Sequence, residues 1–260
     1  MKFMIVTPIS HLFKNSIIAS TLIKYSDWLE VRDNNVNYEN AGGFYHSELN
    51  ILSKWNEKEL RHLKRIHKDN SPTQVSFHLS NRYQRTTITI NECGSVFKGL
   101  GSPMTKREMK DNVKRNLKQA KEIFVNCVCF SVENINHLLT DAYDVITDAS
   151  FISEIVVENG LSFVLDIAHA VITCANLKLD FIDYVKALPL SSTVQLHISR
   201  AKLVDGVGRD SHESLEEKEW ALLKNWLRVS PWIKYVTVEY YKDVGLLIKH
   251  LKKLKEMQNG

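Results

Sequence analysis

Ser162-Phe163-Val164-Leu165-Asp166-Ile167-Ala168-His169 decides how this chain is read. An apolar run behind Gly160, without polar alternation, is what a strand buried on both faces requires, and such strands lie inside parallel sheets. The run ends in a carboxylate, and an imidazole follows three residues later. The same event recurs along the chain. VCFSV (128–132) ends in Glu133-Asn134, TVQL (193–196) ends in His197, and YVTV (235–238) ends in Glu239. Hydrophobic strands that each finish in a metal-ligand residue type are the pattern of a barrel with its chemistry at the strand carboxyl ends.

Toward the amino terminus, KFMIVT (2–7) is a short strand stopped by Pro8, and SDWLEVR (26–32) is a second, with Glu30 and Arg32 near its end. Residues 15–25 between them carry apolar side chains at helical spacing. The polar, turn-rich stretch 34–43 is too short for a full helix, so the second β/α unit is abbreviated. FYHSELNIL (44–52) is a strand or loop with His46 near its start. Residues 55–68 form an amphipathic helix with Asn56 as its cap, broken at Pro72, and QVSFH (74–78) is a strand ending in His78. TTITI (86–90) alternates as a β-ribbon, and Gly94, Gly99 and Gly101 mark a loop excursion. Helices are expected at 105–123, 148–158, 180–188, 215–229 and 244–257. This alternation predicts parallel strands joined by right-handed crossovers: an α/β chain folded as one (β/α)8 TIM barrel over residues 1–260.

The bulk properties fit. A length of 260 residues suits one such barrel, and 44% hydrophobic residues suffice for its core. The net charge of +4 is mild and demands no polyanionic partner. Cys93, Cys127, Cys129 and Cys174 lack zinc-type spacing and read as reduced and structural. Cys127 and Cys129 are placed inside one strand, with side chains on opposite faces. No secretory segment precedes the first strand, and no apolar run approaches the ~18 residues of a membrane span, so a cytoplasmic protein is expected. There is no glycine-rich phosphate loop, nucleophile elbow or dinucleotide fingerprint.

Closing the strands into a barrel aims Glu133, Asp166, His197 and Glu239 at one rim, a His-containing carboxylate cage suited to Fe, Mn or Zn. One strand-end polar residue is often satisfied by a nearby loop; four in consecutive units argue for a shared site. DGVGRDSHE (205–213), an extended loop after the His197 strand, adds Asp210 and His212, two apart and able to chelate one ion with His169. His46 and His78 complete a further position. His62 and His67, on an exposed charged helix, and Arg200 and Lys202 are not assigned to the site.

DWLEV (27–31), YHSELNILS (45–53), ELRHLKRIHKDNSPTQVSFHLS (59–80), SVEN (131–134), DSHES (210–214) and VEYYKD (238–243) carry a family likeness. Its most specific part is FISEIVVENGLSFVLDIAHAVIT (151–173) followed by DFIDYVKALPLSSTVQLHIS (180–199). The chain resembles the xylose-isomerase-like barrels, which include sugar isomerases, epimerases and endonuclease IV. It resembles most the multinuclear non-heme iron oxidative enzymes that make methanobactin and 3-thiaglutamate. That resemblance implies His46, His78 and Glu133 around one ion, Glu133, Asp166, His197 and Glu239 around a second, and His169, Asp210 and His212 around a third. It implies two or three Fe ions, with Zn or Mn as alternatives, and catalytic roles for Glu133, Asp166, His197 and Glu239. The expected reaction is oxidation of cysteine in a ribosomally made peptide, with a small partner protein presenting the precursor. Two positions depart from the iron enzymes: His169 stands where they tend to carry asparagine, as in endonuclease IV, and Phe77 replaces an acidic residue before His78. The alternatives are a zinc phosphodiesterase acting on abasic DNA, and a sugar isomerase or epimerase with one Mn or Mg and Glu133/Glu239 as acid and base. A barrel that kept its ligands but lost turnover is the non-enzymatic reading. Nucleic acid is disfavoured because DNA-inserting loops and a strong basic footprint are missing.

Overall fold

A computed structural model describes residues 2–33 and 43–259. In chain order the strands are β1 (Met4–Pro8), β2 (Trp28–Arg32), β3 (Gly43–Asn50), β4 (Gln74–His78), β5 (Thr86–Asn91), β6 (Gly94–Gly99), β7 (Cys129–Glu133), β8 (Ser162–Asp166), β9 (Thr193–Ile198), β10 (Arg200–Val204), β11 (Val207–Glu213) and β12 (Tyr235–Val238). The helices are α1 (Ser16–Lys24), α2 (Glu57–Asn70), α3 (Lys106–Ile123), α4 (Ala149–Asn159), α5 (Ile167–Leu177), α6 (Phe181–Ala187), α7 (Glu217–Val229) and α8 (Val244–Asn259). Eight of these strands, all parallel, close into a barrel in the order β1-β12-β9-β8-β7-β4-β3-β2. The expected TIM barrel is what the chain forms. Only residues 33–42 separate β2 from β3, and the polar stretch 34–42 lies outside the described residues.

The apolar runs are explained by burial on both faces. Phe163, Val164 and Leu165 of β8 and all four residues of β12 are shielded by helices outside and by barrel side chains inside. Helix starts follow their caps. Asn56 closes a capping box with Glu59 at the head of α2, and Thr105 does so with Glu108 at the head of α3. Among the described residues no helix is long and apolar enough to cross a membrane.

Barrel register is what builds the site. Parallel pairing sets His78 opposite Glu133, Asp166 opposite His197, and Arg32 opposite His46. These chemistry-bearing side chains therefore leave adjacent strands at matching heights, at the carboxyl end. Two antiparallel hairpins are inserted at that same end, β5–β6 after β4 and β10–β11 after β9.

The structure revises two local readings. Residues 205–213 are not an extended loop: Asp205 and Gly206 form a left-handed turn with φ of 52° and 81°, and β11 returns beside β10. Cys127 lies before β7, because the Val128 and Cys129 amides both donate to the Thr73 carbonyl ahead of the ladder. All four cysteines are free.

The hairpin is fixed to α5 by close approach. The Gly208 amide donates to Asn176 Oδ1 at 2.7 Å, and Asn176 Nδ2 donates back to the Gly208 carbonyl at 3.2 Å. A Cβ on Gly208 would lie 2.9 Å from Ile172 Cα, so glycine is required for contact and not for conformation. Gly208→Val should therefore lift β11 from α5, costing about 1–3 kcal/mol as an overpacking change. Because β11 carries Asp210 and His212, urea denaturation should show that modest loss while bound metal falls; unchanged metal content would mean the hairpin takes no part in the site.

Candidate metal centre

Glu133, at the end of β7 and 1% exposed, is the hub. Its Oε2 lies 3.0 Å from His46 Nε2 and 2.9 Å from His78 Nε2, while its Oε1 lies 3.1 Å from His197 Nδ1 and 3.6 Å from His169 Nδ1. One carboxylate thus faces a pair of imidazoles on each side. The same His197 Nδ1 is 3.4 Å from Glu239 Oε1, and Glu239 Oε2 is 3.2 Å from His212 Nε2.

Among the described residues, three sets bring donor atoms within 4.8 Å of one another: His46, His78 and Glu133; Glu133, Asp166, His197 and Glu239; and Glu30, His46 and His197. The first two are sets expected from the sequence. The third expected set is connected more loosely, through Asp210: its Oδ2 is 3.3 Å from His169 Nε2 and its Oδ1 is 3.5 Å from His212 Nδ1.

Electrostatics in the cage follow from burial and crowding. Burial alone would raise the Glu133 carboxyl, but His197 and His46 hold it well below the ordinary carboxylate range. Burial works on Glu239 in the same sense and is outweighed by Arg32, His197 and His212. Asp166 goes the other way: burial, opposed by His169 and reinforced by Glu133 and Glu239, pushes it to about 7. His46 is pulled down to about 4 by burial and Arg32 despite Glu133, and so stays neutral. Against the burial effect, Glu133 and Glu239 raise His197, and Asp166 and Asp210 raise His169, both well above their ordinary value.

The donor set suits a cation on its own chemistry. His46 Nε2 and His78 Nε2 face each other at 2.6 Å, and each also meets Glu133 Oε2. A single proton cannot satisfy three acceptors converging on one point, whereas a divalent ion can. His169 Nδ1 donates to the Asn134 carbonyl at 2.8 Å, so its Nε2 is the nitrogen turned to Asp210. Asp166 Oδ1 accepts the His169 amide at 2.7 Å, while its buried Oδ2 has no hydrogen-bond partner among the described residues. A buried carboxylate oxygen left over in this way is costly unless a cation meets it.

Several residues of the cage were not read from the sequence as part of it. Glu30 and Arg32, two apart on β2, both turn inward. Arg32 pairs with Glu30 at 2.6 Å and also with Glu239, and holds Glu30 down to about 2 with help from His197 and His46, against burial. Two charged residues of one parity inside an apolar strand were the available signal. Gln195 donates to Glu30 at 3.0 Å and to Thr237 at 2.8 Å, and lies 3.1 Å from His197 Nε2. His62 is not simply a surface residue: its Nε2 is 2.6 Å from Asp33 Oδ1, which also accepts from Tyr45 at 2.5 Å. That cluster braces the ends of β2 and β3 beside the cage.

Such a closed parallel barrel, with His and carboxylate donors gathered at its carboxyl rim, defines a TIM barrel with buried groups able to hold metal. Solved structures agree on the fold. The 3-keto-D-glucoside 4-epimerase YcjR from E. coli superposes with a TM-score of 0.57 at 16% identity, covering 98% of this chain and 100% of its own. D-psicose 3-epimerase from Clostridium cellulolyticum H10 gives 0.55 at 12%, covering 100% and 98%. The probable 3-DHS dehydratase AsbF from Bacillus anthracis gives 0.59 at 11%, covering 98% and 99%. Identities this low carry the fold alone. No curated protein matches the sequence. The family of RiPP precursor modification enzymes MbnB/TglH/ChrH matches residues 45–259, and the chain belongs to that family. It is therefore an enzyme whose substrate is a peptide, the precursor of a ribosomally synthesised and post-translationally modified product. The matched segment contains all nine ligand residues expected from the sequence but not Glu30, Arg32 or the DWLEV stretch.

A pH dependence follows from the crowding. His212 is raised from 6.5 to about 9, burial being outweighed by Glu239 and Asp210, and His169 and His197 are raised as well. Groups raised above their unfolded values stabilise the fold fully below pH 6.5 and lose that contribution as pH climbs through the folded value. The melting temperature of the metal-free protein should therefore fall between pH 7 and 9, and His212→Asn should flatten part of the slope. A midpoint that rises over this window would contradict the buried imidazolium–carboxylate pairs.

Proposed function

We propose that this enzyme is a multinuclear non-heme iron-dependent oxidase acting on a cysteine of its peptide substrate. One ion would be held by His46, His78 and Glu133, a second by Glu133, Asp166, His197 and Glu239, and a third by His169, Asp210 and His212. Iron in these positions would supply a thiolate-binding centre that relays electrons from the bound cysteine to O₂. The chain's own residues do the rest. Glu133 is shared between neighbouring positions, Arg32 neutralises Glu30 and part of Glu239, and Gln195 orients the His197 ring from behind. The hairpins β5–β6 and β10–β11 flank the mouth through which an extended peptide would enter. A small partner protein that presents the precursor belongs to this reading, as does work in the cytoplasm.

The observation that supports it is the two-sided engagement of Glu133, with imidazoles 3.0 Å or less from one oxygen and 3.1 Å from the other. A carboxylate between two donor clusters suits a multinuclear centre. The single-ion isomerase reading uses neither His46 and His78 nor Asp210 and His212.

Protein purified without oxygen should carry two or three irons per chain by elemental analysis and show ferric ligand-to-metal absorption after exposure to air. Mixed with O₂ and a cysteine-containing precursor encoded beside its gene, it should change that peptide's mass, and serine in place of the cysteine should abolish the change. Zinc in the same positions after growth in iron-rich medium, with cleavage of abasic DNA, would instead establish the phosphodiesterase. Glu133→Gln keeps the shape but removes the shared charge, and should lower bound metal by at least two equivalents; full retention would remove Glu133 from the centre.

A further inference from the structure

The β7–β8 ladder ends at Glu133 opposite Val164, two residues short of Asp166. Asp166 is paired with His197 on the β9 side, but the ladder gives it no partner on the β7 side. Asn134 supplies one. Its fully buried side-chain amide accepts from the Asp166 amide at 2.9 Å and donates to the Asp166 carbonyl at 2.9 Å, standing in for the missing strand backbone. Its own carbonyl accepts from His169 Nδ1 at 2.8 Å.

We infer that Asn134 is the positioning residue of this centre, fixing the backbone of Asp166 and the ring of His169 so that Asp166 Oδ2 and His169 Nε2 both face metal. The inference rests on the metal reading above but not on iron, oxidation or the peptide. The geometry follows stepwise. With both backbone groups of Asp166 clamped, its Oδ1 caps α5 through the His169 amide, and the oxygen left over is the buried Oδ2. With Nδ1 of His169 committed to a carbonyl, which can only accept, the nitrogen available to a ligand is Nε2, on the Asp210 side. One residue, adjacent in sequence to Glu133, thus links the second and third donor sets. Serine or alanine cannot span the two bonds, and aspartate can accept from the Asp166 amide but would set an oxygen against its carbonyl.

The test is Zn²⁺ binding to metal-free protein by competition with a chromophoric chelator, for the parent, Asn134→Asp and Asn134→Ala, with melting temperatures of the metal-free forms. Outer-shell changes of this kind typically weaken metal binding about 10–100-fold, and that loss is expected for the ions facing Asp166 and His169 while the one at His46 and His78 stays within about threefold. Asn134→Asp, which keeps the volume, should bind no better than Asn134→Ala. Binding unchanged at every position, binding that weakens uniformly in step with the melting temperature, or an aspartate variant that restores binding would each overturn the role. Long-range proton–nitrogen NMR of the Zn²⁺-loaded parent needs no variant: ligation through His169 Nε2 is expected, and ligation through Nδ1 refutes the inference. A protein that passes these tests yet oxidises no peptide would leave Asn134 as assigned and refute only the iron reading.

Discussion

A carboxylate cut off from water has to be answered by positive charge, and Glu133 is the carboxylate that the rest of this molecule arranges itself around. It does not stand alone: Glu30, Asp166 and Glu239 are also buried, and Asp210 lies beside them. Among the described residues the permanent cation in contact is Arg32, which bridges Glu30 and Glu239. What remains is an excess of negative charge that imidazoles can meet in two ways. The neighbouring carboxylates favour the protonated forms of His169, His197 and His212, which is why each is raised. A bound metal would need the same rings neutral and would replace that positive charge with its own. The cage could thus meet its excess negative charge with either form.

The barrel explains how so many polar groups reach one place without unfolding it. Glu133, Asp166, His197 and Glu239 stand at or just past the ends of largely apolar, largely buried strands, so most of the core is complete before the polar layer begins. Parallel register does the alignment, pairing His78 with Glu133 and Asp166 with His197. Where register ends, side chains take over: Asn134 extends the ladder to Asp166, and Asn176 ties β11 to α5 through Gly208. These amides do what backbone would do elsewhere, in the layer where backbone must diverge to admit a substrate.

This division also explains what could be read from sequence. The barrel was legible because its strands are apolar runs with polar ends, a pattern that period-two alternation would have hidden. Asp166, His197, Glu133 and Glu239 were legible for the same reason, and His46 and His78 because a histidine at a strand start or end stands out. Glu30 and Arg32 were passed over because a Glu-x-Arg pair near a strand end looks like a solvated ion pair until closure turns both inward. The β10–β11 hairpin read as a loop because its strands are polar and half-exposed, with no apolar stripe to mark them. Asn134 carried no signal of its own, since its side-chain bonds reach Asp166, 32 residues away. The Asp33–Tyr45–His62 cluster was hidden by distance along the chain in the same way.

The fold is shared with sugar epimerases, so the fold cannot choose the reaction. The side chains argue more sharply. An epimerase of that kind needs two carboxylates, Glu133 and Glu239, each free to exchange a proton with a substrate carbon from opposite sides. In this chain both are already engaged by cations and imidazoles. Glu133 gives one oxygen to His46 and His78 and the other to His197; Glu239 gives one to Arg32 and the other to His212. Carboxylates paired with cations and imidazoles are poor bases, because their proton affinity is lowered. Held as anions, they remain able to meet a metal ion. The arrangement that withdraws Glu133 and Glu239 from acid–base work is also one that suits them to holding metal.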